Sequence, residues 1–348
     1  MPVRFIVDPL VGLLVLLAAG AVLAWALVVL HTAWMITHPP RRGYTYAVAK
    51  GLPSNPGEIP SAAGGPRPFR EWSLRGTPSR PGAPGPTIAG WDITGDDPDG
   101  PIVVFSHGWG ESRVHALTRL PALARHARRV VLYDLRGHGE SEGASHLGTA
   151  EVGDLLAVLA TVSTPDEHDS ATASAPPVVL AGFSLGAGVS IAAAATAARA
   201  EPTIAAVIAE APYRFPATPA ARVLEAAALP HRLTLAPALA LLGVLSGQGV
   251  RWGATRLDGG LPAFDRAALA RALPCPLLVL HATQDAVVPV EDARAIADAA
   301  LGGRLICIDG AGHTDAWTNQ PSRAAMEAAV SSFLRALPSA AAPYDPPR

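Results

Sequence analysis

Ser184, Asp285 and His313 are the residues of this chain whose types and order suit nucleophilic acyl transfer. Ser184 is the centre of Gly182-Phe183-Ser184-Leu185-Gly186, which follows the apolar run Val178–Ala181. A small-residue helical pattern continues from there through Ile191 to Ala200. Strand, sharp turn and helix with a serine at the apex push the hydroxyl clear of a sheet. Gly182 and Gly186 suit the flanks, because side chains there would meet the neighbouring strand and helix. A serine hydroxyl is a poor nucleophile until an imidazole takes its proton, and the imidazole needs a carboxylate to orient it. His313, in Gly310-Ala311-Gly312-His313, and Asp285, just beyond the apolar run Leu277–His281, supply those two groups.

Such a reaction also needs hydrogen-bond donors for a developing oxyanion. The main-chain N–H of Leu185, at the start of the helix after Ser184, is one candidate. The main-chain N–H of Trp109, in the glycine-rich turn His107-Gly108-Trp109-Gly110, is the other. Glu210, at the end of the strand after the elbow helix, rivals Asp285 as the acid. Other residues have plainer readings. Asp134 and Arg136 fix a loop, His107 and His138 each precede a turn glycine, and His281 packs at a strand end. Phe183 and the Leu185 side chain pack or line a pocket. Gly137, Gly139 and Gly143 miss the spacing of a dinucleotide-binding loop. Cys275 and Cys307 lie far apart without zinc-ligand spacing, so both are expected to be buried and reduced. A net charge of −2 leaves no basic footprint for nucleic acid.

The elements that must hold these residues alternate. Strands are expected at 87–93, 101–106, 130–134, 178–183, 204–208, 277–281 and 304–308. Helices are expected at 113–127, 150–162, 291–301 and 323–337, besides the one after Ser184. That alternation means a mainly parallel sheet with helices on both faces, whose ligands bind at the carboxyl ends of the strands. Between 212 and 261 the alternation stops, and the apolar helical stretches Val223–Leu229 and Leu233–Leu245 read as an inserted cap.

Upstream, Pro9–Leu30 carries no charge. About 22 residues rising ~1.5 Å each give ~33 Å, enough for a ~30 Å hydrocarbon core. Trp25 and Trp34 suit an interface, and Arg41 and Arg42 follow. A cleaved signal peptide is the alternative, with a shorter apolar run and a small-residue cleavage site. The reading adopted is an uncleaved single-pass anchor at the cell membrane, with basic residues favouring a cytoplasmic catalytic domain. The expected boundaries are 1–38 for the anchor, 39–86 for a Pro/Gly-rich linker and lead-in with strand character only around Phe69–Leu74, 87–337 for the catalytic domain and 338–348 for a flexible tail. On that division the anchor is separable, and a chain lacking residues 1–38 stays active.

Together, His-Gly-Trp-Gly, Tyr133-Asp134-Leu135-Arg136-Gly137-His138-Gly139-Glu140-Ser141, Gly-Phe-Ser-Leu-Gly, the Asp285 loop and Gly-Ala-Gly-His resemble the α/β-hydrolase superfamily. They look closest to its monoglyceride-lipase-like and serine-aminopeptidase-like branch. The resemblance implies an α/β-hydrolase fold and a serine hydrolase working through an acyl-enzyme without metal or organic cofactor. Esters or thioesters of apolar acyl groups are the expected substrates. A peptidase or acyltransferase of the same fold, or a catalytically silent tethered binding module, stands as the alternative.

Overall fold

The computed structural model describes residues 8–79, 82–162, 176–197, 203–245 and 265–337. Its strands are β1 (Phe69–Arg75), β2 (Thr87–Thr94), β3 (Ile102–Ser106), β4 (Arg129–Tyr133), β5 (Val178–Phe183), β6 (Ile204–Glu210), β7 (Leu277–Ala282) and β8 (Gly303–Ile308). They form one sheet in the order β1-β2-β4-β3-β5-β6-β7-β8. β1 and β2 are antiparallel, β2 pairs antiparallel with β4, and every later pairing is parallel. The helices in chain order are α1 (Pro9–Thr37), α2 (Tyr44–Lys50), α3 (Arg113–Ala116), α4 (Leu120–Ala124), α5 (Ala150–Val162) and α6 (Leu185–Thr196). α7 (Ala217–Ala226), α8 (His231–Leu245), α9 (Arg266–Ala270), α10 (Val290–Ala299) and α11 (Gln320–Arg335) follow.

The central strands are covered on both faces, which explains why they read as unbroken apolar runs. Alternate residues feed two separate cores. Ile102 and Val104 of β3, with Val178 and Leu180 of β5, pack against α5, α6, α9 and α10. Val103 and Phe105, with Val179, Ala181 and Phe183, pack on the other face against α2, α3, α4 and α11. β3 and β5 are adjacent and in register, Ser106 beside Gly182, so their carboxyl ends emerge side by side.

Three expectations need correction. The linker and lead-in before residue 87 is docked on the sheet over more of its length than expected, although the strand character at Phe69–Leu74 is borne out. β1 pairs with β2 along its whole length, from Phe69 beside Ile93 to Arg75 beside Thr87. Arg67 ahead of it is buried and makes two 2.9 Å bonds to the Asp96 carboxylate. The helix expected over 113–127 is two short ones, because Pro121 has no N–H to donate and its ring crowds the preceding turn. Cys275 is buried, but Cys307 is exposed, on the edge strand β8. Both are free thiols. The expected extension of the elbow helix to Ala200, residues 246–261 of the cap and the tail 338–348 lie outside the described residues.

α1 is long and apolar enough to cross a membrane, with a mean hydropathy of 2.8 over its most apolar window, which is almost entirely exposed. Its last turns are different. Val29, Ala33, Ile36 and Thr37 are buried. Val29 and Ala33 meet Ala238 of α8, while Ile36 joins Ala220 and Leu224 of α7 and Leu235 and Leu239 of α8. Thr32 and Thr234 are hydrogen-bonded through their hydroxyls at 3.2 Å. Fully burying a side chain such as Leu224 contributes about 1.5–3 kcal/mol, so the α1–cap contact is substantial. The end of α1 is therefore part of the folded body, and a cut after residue 38 would not fall at a separable joint.

Candidate active site

Ser184 sits where β5 ends and α6 begins, with φ +51° and ψ −107°. A non-glycine residue held at positive φ stores backbone strain that only its surroundings maintain. Those surroundings are tight. A Cβ on Gly182 would come within 2.4 Å of the Gly186 main chain, and one on Gly186 within 2.0 Å of the Ser106 carbonyl oxygen. The Ser184 N–H donates to the Glu210 carbonyl at 2.8 Å, tying the elbow to β6. The hydroxyl is left at the carboxyl edge of the sheet.

There it meets the other two predicted residues. His313, in the loop after β8, places Nε2 3.2 Å from Ser184 Oγ. Its Nδ1 lies 2.6 Å from Asp285 Oδ2. The Asp285 Oδ1 accepts from the N–H groups of Val287 and Val288, both at 2.8 Å, which fixes the carboxylate after β7. Burial alone would raise the Asp285 pKa. The hydrogen bond and charge of His313, with the two N–H groups, outweigh it and hold the carboxyl below its usual range. The His313 loop is closed by Asp315, which accepts from the Gly312 N–H at 2.6 Å. The Phe183 ring packs 4.9 Å from the imidazole, between centroids.

Glu210, the rival acid, is engaged elsewhere. Arg119 donates to it twice, Nε to Oε2 at 2.8 Å and Nη2 to Oε1 at 2.9 Å. The residues read as structural are so placed. Asp134 accepts from the Arg113 N–H and side chain and from the Glu140 N–H. Arg136 grips Asp154 through two 2.6 Å bonds. His107 Nε2 accepts from the Leu135 N–H at 3.0 Å, so its ring is neutral, with Nδ1 donating to the Gly108 carbonyl. Burial, reinforced by the nearby His138, pushes its pKa well down. His281 is packed against the Val288 carbonyl.

Trp109 and Leu185, the expected oxyanion donors, both border one cavity with Ser184 and His313. Its volume is about 240 Å³. Leu147, Tyr213, Val223, Val287, Ile36 and Thr314 are among the other residues that line it, and among the described lining residues there is no carboxylate and no Lys or Arg. Sequence reasoning missed Ile36, Leu147 and Tyr213. Each arrives from a distant stretch of chain, and no local motif marks it.

Residues 103–328 match the alpha/beta hydrolase family. The chain belongs to that family. An esterase from Pyrococcus furiosus has a similar structure, with a TM-score of 0.58 and 19% identity, over 87% of this chain and 98% of its own. An esterase from a Rhodococcus species gives a TM-score of 0.52 and 24% identity, over 78% of this chain and 99% of its own. At such identities the likeness concerns the fold. No curated protein matches the sequence. The hydrolase fold, with its mostly parallel sheet flanked by helices, is thus established alongside a site that carries a serine, an imidazole and a carboxylate in hydrogen-bonded sequence.

Proposed function

We propose that this hydrolase is a membrane-anchored serine esterase that cleaves carboxylic esters or thioesters of apolar acyl groups, a chemistry close to that of monoglyceride-lipase-like enzymes. The observation that carries the reading is the chain Ser184–His313–Asp285 opening into an apolar cavity. Ser184 Oγ attacks the acyl carbon while His313 Nε2 takes its proton. Asp285 keeps Nδ1 protonated and stabilises the imidazolium that forms. The N–H groups of Trp109 and Leu185 bind the oxyanion. Collapse of the tetrahedral intermediate expels the alcohol or thiol, protonated by His313, and leaves an acyl-enzyme. Water, deprotonated by the same imidazole, then releases the acid.

The cavity favours an acyl substrate over an aminoacyl one. A free α-ammonium group needs a carboxylate partner, and the described lining offers none. Its volume, below the ~300–1,000 Å³ of drug-sized ligand pockets, suits a short or medium acyl chain. The anchor reading rests on the exposed apolar length of α1. Arg41 and Arg42 after it favour a cytoplasmic catalytic domain.

The test is a fluorophosphonate probe with a series of p-nitrophenyl esters, applied to the full-length protein in detergent micelles. The wild type should label and turn over esters. Ser184→Ala should lose both, with turnover falling on the order of 10⁴–10⁶-fold. Equal hydrolysis by the folded alanine variant ends the proposal. Recovery of the full-length protein from cells in the soluble fraction ends the anchor assignment.

A further inference from the structure

The last turn of α1 does more than connect a membrane segment to an enzyme. Ile36 is 2% exposed, and it borders the same cavity as Ser184 and His313. Its carbonyl accepts from Trp109 Nε1 at 2.9 Å. The next carbonyl, of Thr37, accepts from the Ser145 N–H at 2.8 Å, two residues before Leu147, another lining residue. Four residues on, Arg41 Nη1 donates to the Ser141 carbonyl at 2.9 Å. The end of α1 is thus bonded to two loops, those after β3 and β4, that themselves edge the cavity.

We infer that Ile36 is a specificity-determining residue: the membrane helix supplies, through its side chain, part of the wall that limits how long an acyl chain the pocket accepts. The inference rests on the esterase reading above and deepens it. A bland alternative is that Ile36 only cements α1 to the cap. Cementing requires a place in the apolar cluster with Ala220, Leu224, Leu235 and Leu239, which Ile36 has. It does not require the residue to border the space beside Ser184, which it also does. The carbonyl bond to the Trp109 indole gives that position a fixed distance from the turn whose N–H is assigned to the oxyanion. A wall registered against the reacting centre sets a chain length. A loosely placed one does not.

The experiment compares kcat/KM across p-nitrophenyl esters from acetyl to decanoyl for full-length wild type, Ile36→Ala, Ile36→Phe and Leu30→Ala in detergent micelles. Each additional methylene buried is worth about fourfold. Ile36→Ala should therefore raise the decanoyl-to-butanoyl ratio on the order of tenfold, and Ile36→Phe should lower it similarly. Leu30, exposed on the same helix, should leave the ratio unchanged. The milder Ile36→Val, shifting the ratio in the direction of alanine, serves if alanine does not fold. An unchanged ratio in folded, active Ile36 variants overturns the inference while the esterase reading stands. A wild type inert to every ester and to fluorophosphonate overturns the esterase reading first, and the inference with it.

Discussion

Arg119 holds Glu210 through two hydrogen bonds, and both side chains are buried behind the elbow. Burial would lower the Arg119 pKa, but the charges of Glu210 and Glu111 outweigh it and raise it. The guanidinium also lies 4.8 Å from the centre of the Phe183 ring, which packs on His313. An acid at the end of β6 therefore serves as the counter-ion of a platform under the imidazole. The acid at the end of β7 faces the imidazole itself.

That division predicts opposite phenotypes. Asp285→Asn should lower kcat by several orders of magnitude with a modest change in melting temperature, since an amide cannot stabilise imidazolium. Glu210→Gln should strand a buried guanidinium, costing about 3–5 kcal/mol of stability, and should reduce activity mainly by unfolding. Thermal denaturation run beside steady-state kinetics separates the two. A stable but inactive Glu210→Gln would make Glu210 the acid.

Acid stability should depend on the buried pair His107 and His138, whose ring centroids are 5.0 Å apart. Burial, partly opposed by hydrogen bonds to the Arg136 and Leu135 main chain, lowers the His138 pKa to about 4. The folded value lies below the unfolded ~6.5, so the unfolded chain binds the proton first. This contribution to stability is complete above about pH 6.5 and is lost as the pH falls towards about 4. For His138 alone it is on the order of 3 kcal/mol. His138→Asn should flatten the fall of melting temperature across that window, and an unaltered slope would contradict the assignment.

The elbow admits no side chain at its flanks. Gly186→Ala would drive a methyl group against the Ser106 carbonyl and the His107 carbonyl, both rigid main chain. β3 or α6 would have to move, and a loss of more than ~4 kcal/mol, or failure to fold, is expected. Gly12→Ala, inside α1 where a Cβ meets nothing within 4 Å, is the control and should not destabilise, alanine favouring the helix by at most ~1 kcal/mol. Urea unfolding in detergent micelles gives both values.

The strands and the three candidate site residues, Ser184, Asp285 and His313, were legible because they carry local signals: apolar runs of strand length, glycines at fixed offsets from a serine, and polar residues just past strand ends. The same logic separated the Asp134–Arg136 loop from a nucleotide site. What escaped notice depends on partners far away in the chain. β1 showed only as strand character at Phe69–Leu74, and what the local pattern could not show is its pairing with β2 along its whole length. Pro121 was visible, but the leucine spacing over 113–127 concealed its consequence. Trp109 was read for its main-chain N–H, whereas its indole bonds to a residue 73 positions earlier. The apolar character of α1 signalled a membrane and so masked the fact that its single isoleucine, Ile36, borders the cavity.

Truncation tests that last point most directly. If residues 1–38 formed only an anchor, their removal would release a soluble enzyme with normal kinetics. The structure predicts otherwise. Removal would strip Ile36 from the cavity wall and leave the Trp109 indole without its acceptor. It would also deprive the Ser145 N–H of the Thr37 carbonyl and uncover Leu235, Ala238 and Leu239 of the cap. A chain beginning near Trp25 would keep all of those contacts while losing most of the exposed apolar length. Assayed in the same detergent, the shorter truncation should label with fluorophosphonate at close to the full-length rate. The chain lacking 1–38 should label at least tenfold more slowly or aggregate. Equal labelling by both would mean that α1 ends outside the working part of the enzyme.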